Sequence, residues 1–142
     1  MGGASTWLFW PAMKLLIVRH AEAAPGEPDE LRPLTPAGRG QARALGSRLR
    51  QEGVSPNAIL TSPLLRARET ATLLGRELGV EPVADERLAP GADAAGISAA
   101  AGEHEGTLVV VGHQPDCSQI AAALTGGPEP DFRPAGVFAV TL

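Results

Sequence analysis

The sequence predicts an α/β fold, a three-layer α/β/α sandwich with a mainly parallel central sheet. Two continuous apolar runs, KLLIV at 14–18 and TLVVV at 107–111, have the character of strands that are covered on both faces. Segments with apolar residues at helical spacing alternate with the predicted strands. This alternation, with right-handed crossovers, places a mainly parallel sheet between two layers of helices.

The first strand, 14–18, leads through a loop rich in proline, glycine and acidic residues into the first helix. Thr35 is the predicted N-cap, and Pro36 is the first helical residue, where its missing N–H has no cost. Gly53 is expected to end the helix. The buried face is predicted from three residues at helical spacing, Ala42, Leu45 and Leu49.

A second strand at 57–62 runs directly into the second helix. Ser62 is predicted to cap this helix and Pro63 to open it. The stripe that faces the core is predicted to consist of Ala67, Ala71, Leu74 and Leu78.

Three more strands and two more helices are predicted in the second half of the chain. A short strand at 82–84 precedes an alanine-rich helix at 93–102. The strand at 107–113 is followed by a helix at 115–126, which opens at a proline and ends at a glycine. The last strand, 136–142, alternates weakly and is expected at an edge of the sheet.

Length and composition fit one folded domain. The chain has 142 residues, of which 44% are hydrophobic and 20% charged. We predict an N-terminal extension at 1–12 and a single domain at 13–142. The extension lacks the basic start and the length of an export signal, although its cluster of two tryptophans and a phenylalanine leaves an interfacial anchor as an alternative.

Charge and cysteine content exclude several classes of protein. The net charge of −4 argues against binding to nucleic acid or to an anionic membrane, because both need a basic surface. Cys117 is the single cysteine, so neither an intramolecular disulfide nor a multi-cysteine metal site is expected. We also expect a cytoplasmic location, a monomer and no cofactor.

Basic residues follow three of the predicted strands at the points where those strands end. Arg19 and His20 end the first strand, Arg66 lies in the first turn after the second, and His113 follows the strand at 107. Because the carboxyl ends of parallel strands share one edge, these groups are expected to meet beside helix N-termini that themselves attract anions. Each feature alone is common on a solvated surface, but together they predict a site for a small dianion, phosphate above all.

The same residues suggest a chemistry. A neutral imidazole is a nucleophile for phosphoryl transfer, and guanidinium groups bind the equatorial oxygens. Two guanidinium groups about 5 Å from His20 would each disfavour its protonation by roughly 3 kcal/mol at an effective dielectric of about 20. His20 is therefore expected to stay neutral at pH 7, with Arg19 and Arg66 holding the phosphoryl oxygens.

Four ordered motifs, LLIVRHAEA, LTPAGRGQA, ILTSPLLRARETA and VVVGHQPDCS, resemble the histidine phosphatase superfamily, which includes the phosphoglycerate mutases. The resemblance covers essentially all of 13–142, and the short length is most similar to the bacterial phosphohistidine phosphatases of the SixA type. It implies that His20 is the phosphorylated nucleophile and that Arg19, Arg66 and His113 bind the phosphoryl group. His113 would also stabilise charge during the reaction. It also implies structural roles for Thr35 and Gly38.

The sequence departs from the larger members of that superfamily in two places. Pro90 stands where they carry a glutamate that acts as general acid. An alkoxide leaving group needs such an acid far more than imidazole does, so its loss favours phosphohistidine over a sugar phosphate. Three other carboxylates remain candidates for the role: Glu86, Asp93 and Asp116. The segment before Thr107 also has no room for a lid insertion, which favours a phosphorylated protein, such as a histidine-phosphotransfer domain, over a small metabolite.

Several functions remain open at this stage. The first hypothesis is a metal-independent phosphatase that acts on protein phosphohistidine through phospho-His20, and the alternative is a broad small-molecule phosphomonoesterase. A catalytically silent phosphate-binding module and a two-histidine metal site are weaker hypotheses, since the nucleophile is present and adjacent arginines repel cations.

His104 is expected to be exposed and unconnected with the site. Cys117 is expected to pack in a helix interface, with redox control as the alternative.

Overall fold

A single five-stranded sheet forms the centre of the computed structural model, which describes residues 13–142. The strands are β1 (Lys14–Arg19), β2 (Ala58–Thr61), β3 (Val83–Ala84), β4 (Thr107–Gly112) and β5 (Val137–Thr141). Their order across the sheet is β3-β2-β4-β1-β5. All neighbouring pairs are parallel except β1 and β5, so the mainly parallel sheet and the edge position of the last strand are confirmed.

Helices cover both faces of this sheet. They are α1 (Pro36–Gln51), α2 (Leu65–Leu78), α3 (Ala94–Ala101) and α4 (Asp116–Thr125), with short 3-10 helices at Asp29–Leu31 and Glu86–Leu88. Leu16 and Val18 of β1 pack in the cluster that includes residues of α1 and α2. Leu15 and Ile17 pack in a second cluster with residues of α3 and α4. The alternation along β1 thus divides the core into two halves and confirms the three-layer sandwich.

The helix boundaries follow local signals in the sequence. Thr35 caps α1, because its Oγ1 accepts a hydrogen bond of 2.9 Å from the Gly38 N–H. Asp93 caps α3 in the same way through the Gly96 N–H at 2.8 Å. Gly126 ends α4 in the left-handed conformation, with φ of 73°, which glycine adopts without steric cost.

The start of α2 differs from the prediction. The helix begins at Leu65, its N-cap is Leu64, and no side chain caps it. The predicted cap at Ser62 is therefore wrong, as is the prediction that Pro63 opens the helix. The Ser62 hydroxyl instead accepts a 3.2 Å hydrogen bond from the Leu64 N–H and contacts a histidine of the candidate site.

Only β3, a 3-10 helix and α3 lie between α2 and β4, so the absence of a lid insertion is confirmed. Within residues 13–142, no helix is long and apolar enough to cross a bilayer. The predicted N-terminal extension, 1–12, lies outside the described residues, and the domain boundary at Met13 stays a prediction.

Candidate active site

The carboxyl ends of β1 and β4 bring the two predicted histidines together. Arg19 is in register with Gly112 across the parallel pair, and the His20 N–H donates to the Gly112 carbonyl at 3.0 Å. His113 is the next residue after β4. The centroids of the His20 and His113 rings are 5.2 Å apart, and the ring planes are inclined at 60°.

His20 is half-buried and its ring orientation is fixed by the backbone. Its Nδ1 lies 2.6 Å from the carbonyl oxygen of Ala21. Because a carbonyl can only accept, Nδ1 carries the proton of the neutral ring, and Nε2 keeps its lone pair. The pKa of His20 lies below its usual 6.5, mainly because of burial and further because of the positive charges of Arg66 and Arg19, while the bond to Ala21 opposes the shift. His20 is thus a neutral imidazole at pH 7, with Nε2 as its nucleophilic atom.

His113 is more deeply buried, at 5% exposed, and its Nε2 lies 2.7 Å from the Ser62 hydroxyl oxygen. Burial above all, with the neighbouring His20 and Arg66, lowers the pKa of His113 to about 4. Both rings of the pair are therefore uncharged near neutral pH.

Two predicted arginines lie in the same site. Arg19 donates from NH1 to the Phe132 carbonyl at 2.9 Å, and its buried Nε has no hydrogen-bond partner among the described residues. Arg66, 7% exposed, donates from NH1 to the Asp29 carbonyl at 2.9 Å and from NH2 to the Asp29 carboxylate at 3.2 Å. Charges of both arginines act on His20, so the four residues predicted from the sequence form one group.

Comparison with known proteins agrees with this geometry. The family model of the histidine phosphatase superfamily (branch 1) matches residues 15–90. The phosphohistidine phosphatase SixA of Escherichia coli is 30% identical over 138 residues, which cover 92% of this chain and 86% of that protein.

The chain belongs to the histidine phosphatase superfamily. A solved structure of the protein histidine phosphatase SixA complexed with tungstate matches with a TM-score of 0.86 at 30% identity, over 92% of this chain and 88% of that one. An uncharacterised protein of Picosynechococcus is 41% identical over 81% of this chain and 74% of its own length. The resemblance to SixA-type members is confirmed, and the chain is a hydrolase of this histidine phosphatase family.

Three residues of the site were missed by reasoning from the sequence. Arg32 donates to the Ala24 carbonyl at 2.8 Å and to the Asp29 carboxylate at 2.9 Å, and its charge also lowers the pKa of His20. Asp29 bridges Arg32 and Arg66, and Ser62 contacts His113. Arg32 and Asp29 lie in a loop whose path no periodic pattern specifies, although the spacing of three residues between them is a common one for an ion pair.

The three carboxylates that were candidates for the general acid have different surroundings in the structure. Asp93 is the N-cap of α3, and the Asp116 carboxylate accepts a 2.8 Å hydrogen bond from the Gly91 N–H. Glu86 is exposed on a 3-10 helix. The carboxylate whose charge acts on His113 is Asp29. Hydrogen bonds from Arg32 and Arg66 lower its pKa, so Asp29 is ionised at neutral pH and has no proton to donate.

Other residues singled out in the sequence have structural surroundings. Gly38 packs so closely on the Glu22 carbonyl that a Cβ would collide with it, and Thr35 caps α1. Cys117 is 2% exposed, and burial raises the pKa of its thiol to about 12, so it is not a stabilised thiolate. His104 is half-exposed beyond the carboxyl end of α3. Across residues 13–142, no group of three or more potential ligands is arranged for a metal ion.

Proposed function

We propose that the chain removes the phosphoryl group from phosphohistidine on proteins through a phosphorylated His20. The observation that carries the proposal is the His20 ring itself. Its Nδ1 contacts the Ala21 carbonyl, its pKa is lowered, and the positive charges of Arg66, Arg19 and Arg32 act on the ring. A neutral nucleophile among guanidinium groups is what in-line phosphoryl transfer requires of a protein without a metal.

The substrate class is supported by the relatives. The Escherichia coli relative is named a phosphohistidine phosphatase, and the SixA structure holds tungstate, a tetrahedral oxyanion like phosphate. This chain offers matching donors at one place, including the buried Nε of Arg19, which lacks a partner among the described residues. A buried guanidinium nitrogen without an acceptor is costly unless a ligand supplies one.

The reaction follows in two displacements. The unphosphorylated nitrogen of the substrate ring first takes a proton from solvent. Nε2 of His20 attacks phosphorus, the bond from phosphorus to the substrate nitrogen breaks, and its electron pair returns to that nitrogen, so the ring leaves as neutral imidazole. A water molecule then attacks phospho-His20 and loses its proton to solvent, the bond from phosphorus to Nε2 breaks, and phosphate leaves. Arg19, Arg32 and Arg66 stabilise the equatorial oxygens in both steps.

The leaving group decides between phosphohistidine and a phosphate ester. Expulsion of an alkoxide needs a positioned acid, which typically contributes about 10²–10⁴-fold in rate. Pro90 occupies the position at which that acid was expected, and Asp29 is held in its ionised form by two arginines. A substrate imidazole can be protonated near neutral pH and then leaves as a neutral ring, so it needs far less help. The absence of a lid between α2 and β4 also suits a side chain presented by another protein, such as a histidine-phosphotransfer domain.

Side-by-side turnover tests the proposal. We expect faster phosphate release from a phosphohistidine protein than from p-nitrophenyl phosphate or a sugar phosphate. We also expect an acid-labile phosphoenzyme in rapid-quench experiments. His20→Ala should abolish both, whereas His104→Ala is the matched control, since His104 lies outside the site. Equal or faster turnover of the esters would favour the general phosphomonoesterase, and phosphate release by His20→Ala would exclude the covalent route.

A further inference from the structure

Charge is distributed unequally between the two helix layers. The segments 36–52 and 65–78, which contain α1 and α2, have seven arginines and three glutamates, a balance of +4. The segment 79–133, which contains α3 and α4, has nine acidic and two basic residues, a balance of −7. The protein is acidic as a whole, yet the layer formed by α1 and α2 is basic.

Part of that basic layer lies in the first halves of α1 and α2, the ends of these helices that are nearer to the candidate site. Arg39 and Arg43 lie one turn apart in the first half of α1, and Arg68 lies in the first turn of α2. Both helices begin at the edge of the sheet where the strands before them end, which is the edge that holds the two histidines. All three arginines are exposed. We call these three residues the basic rim.

Acidic side chains neutralise little of the positive charge of the basic rim. Arg39 has one weak partner, with NH1 at 4.0 Å from the Glu69 carboxylate. Within residues 13–142, Arg43 and Arg68 form no ion pair. At the far end of α1, by contrast, Arg48 and Arg50 each have a glutamate within 4.0 Å.

The rim arginines are also separate from the phosphoryl pocket. The arginine charges that act on His20 are those of Arg66, Arg19 and Arg32, and none belongs to the rim. Weakly compensated charges near a site, but outside its reacting centre, act on the rest of a large substrate. A complementary acidic surface is attracted and oriented by them, mainly through the association rate.

We propose that the basic rim docks an acidic surface of the phosphoprotein substrate, next to its phosphohistidine. This inference rests on the proposed function and adds a partner of stated chemistry, an acidic protein. An acidic partner is repelled by the acidic segment 79–133, whose charge lies mainly in the connections around α3 and α4, and is attracted by the layer of α1 and α2. The charge distribution therefore selects both the partner and the direction from which it approaches.

Charge reversal at the two ends of α1 provides the test. The double variant Arg39→Glu/Arg43→Glu changes the rim, and Arg48→Glu/Arg50→Glu changes the far end by the same charge. For an acidic phosphohistidine protein at low salt, we expect the rim variant to lose at least about tenfold in kcat/KM and much of its salt dependence. Turnover of phosphoramidate, a small donor of the same bond type, should stay within about twofold in both variants, since neither touches the pocket.

Each result decides a different question. Wild-type activity on phosphoramidate without activity on the phosphoprotein would refute the proposed substrate, and the rim proposal with it. Equal losses in both double variants would indicate a general effect of net charge and overturn the rim proposal alone. The rim proposal would also be overturned if the wild type self-associated and the rim variant did not. The surface bound to the basic rim would then be an acidic surface of a second copy of the chain. If the rim variant kept its activity on the phosphoprotein but lost binding to single-stranded DNA, the rim would be a nucleic-acid surface and the proposal would be overturned.

Discussion

Protonation of His113 should destabilise the fold as the pH falls, because this buried ring is neutral in the native state. Its pKa is about 4 in the folded protein, against 6.5 for an ordinary histidine. Between these values the unfolded chain binds a proton that the native protein does not. The stabilisation is therefore complete above about pH 6.5 and is lost as the pH falls towards 4.

The magnitude follows from the difference between the two pKa values. Each pKa unit corresponds to about 1.4 kcal/mol, so the full difference is worth roughly 3 kcal/mol. Between about pH 7.5 and pH 5, linkage predicts a loss of about 2 kcal/mol in the free energy of unfolding. This interval lies above the range in which most carboxylates titrate.

Urea unfolding at a series of pH values measures the effect. We expect His113→Gln to remove about 2 kcal/mol of the pH dependence seen in the wild type over that interval. His104→Gln is the control, since that half-exposed ring should leave the curve unchanged. Parallel curves for the wild type and His113→Gln would show that the pKa of His113 is the same in the folded and the unfolded chain, which would refute the reasoning.

Four further predictions concern the surroundings of the two rings. Arg66→Lys should lower kcat/KM at least about tenfold, because an ammonium group cannot replace the paired donors of the guanidinium group; unchanged kcat/KM would contradict its contact with the phosphoryl group. Asp29→Asn removes the carboxylate that competes for Arg66, so inorganic phosphate should inhibit at lower concentration, and an unchanged inhibition constant would count against that competition. Ser62→Ala leaves the buried Nε2 of His113 without its partner and should cost about 1–3 kcal/mol in urea unfolding, a figure that a wild-type midpoint would exclude. Ala135→Gly relieves a positive φ of 59° and should raise the free energy of unfolding by up to about 1 kcal/mol, whereas a loss of stability would show that no strain is present.

Sequence reasoning succeeded where a feature is local and failed where it depends on the path of a loop. The strand that ends at Arg19 and the cap at Thr35 follow from short patterns, and strand ends alone placed His20 and His113 at one edge. Ser62 has the residue type and position of a helix cap, but in the folded chain the Ser62 hydroxyl contacts Nε2 of His113, the residue after β4. A hydrogen bond between residues 51 positions apart exists only in the folded chain, so no sequence window contains it.

The loop before α1 shows the same limit more sharply. Asp29 lies in a short 3-10 helix and Arg32 directly follows it, and no periodic pattern in the sequence predicts where this helix lies. Nevertheless Asp29 binds Arg66, and the charge of Arg32 acts on His20. Their placement depends on contacts of the folded loop, including the hydrogen bond from Arg32 to the Ala24 carbonyl. Composition alone identifies such a segment as a loop and gives no indication that it reaches the site.

In the proposed mechanism, the charges around the two imidazole rings also affect the order of events. Arginine charges and burial keep both imidazoles neutral before the substrate binds, which leaves the Nε2 lone pair of His20 available. A bound phosphoryl group brings negative charge into the same space, and this raises the pKa of any neighbouring imidazole. In the proposed mechanism Nε2 of His20 bonds to phosphorus, which leaves His113 as the imidazole whose protonation the phosphoryl charge favours. Once the anion is bound, its charge offsets those of the arginines, and in the proposed mechanism we therefore expect a protonated His113 that donates to the phosphoryl oxygens.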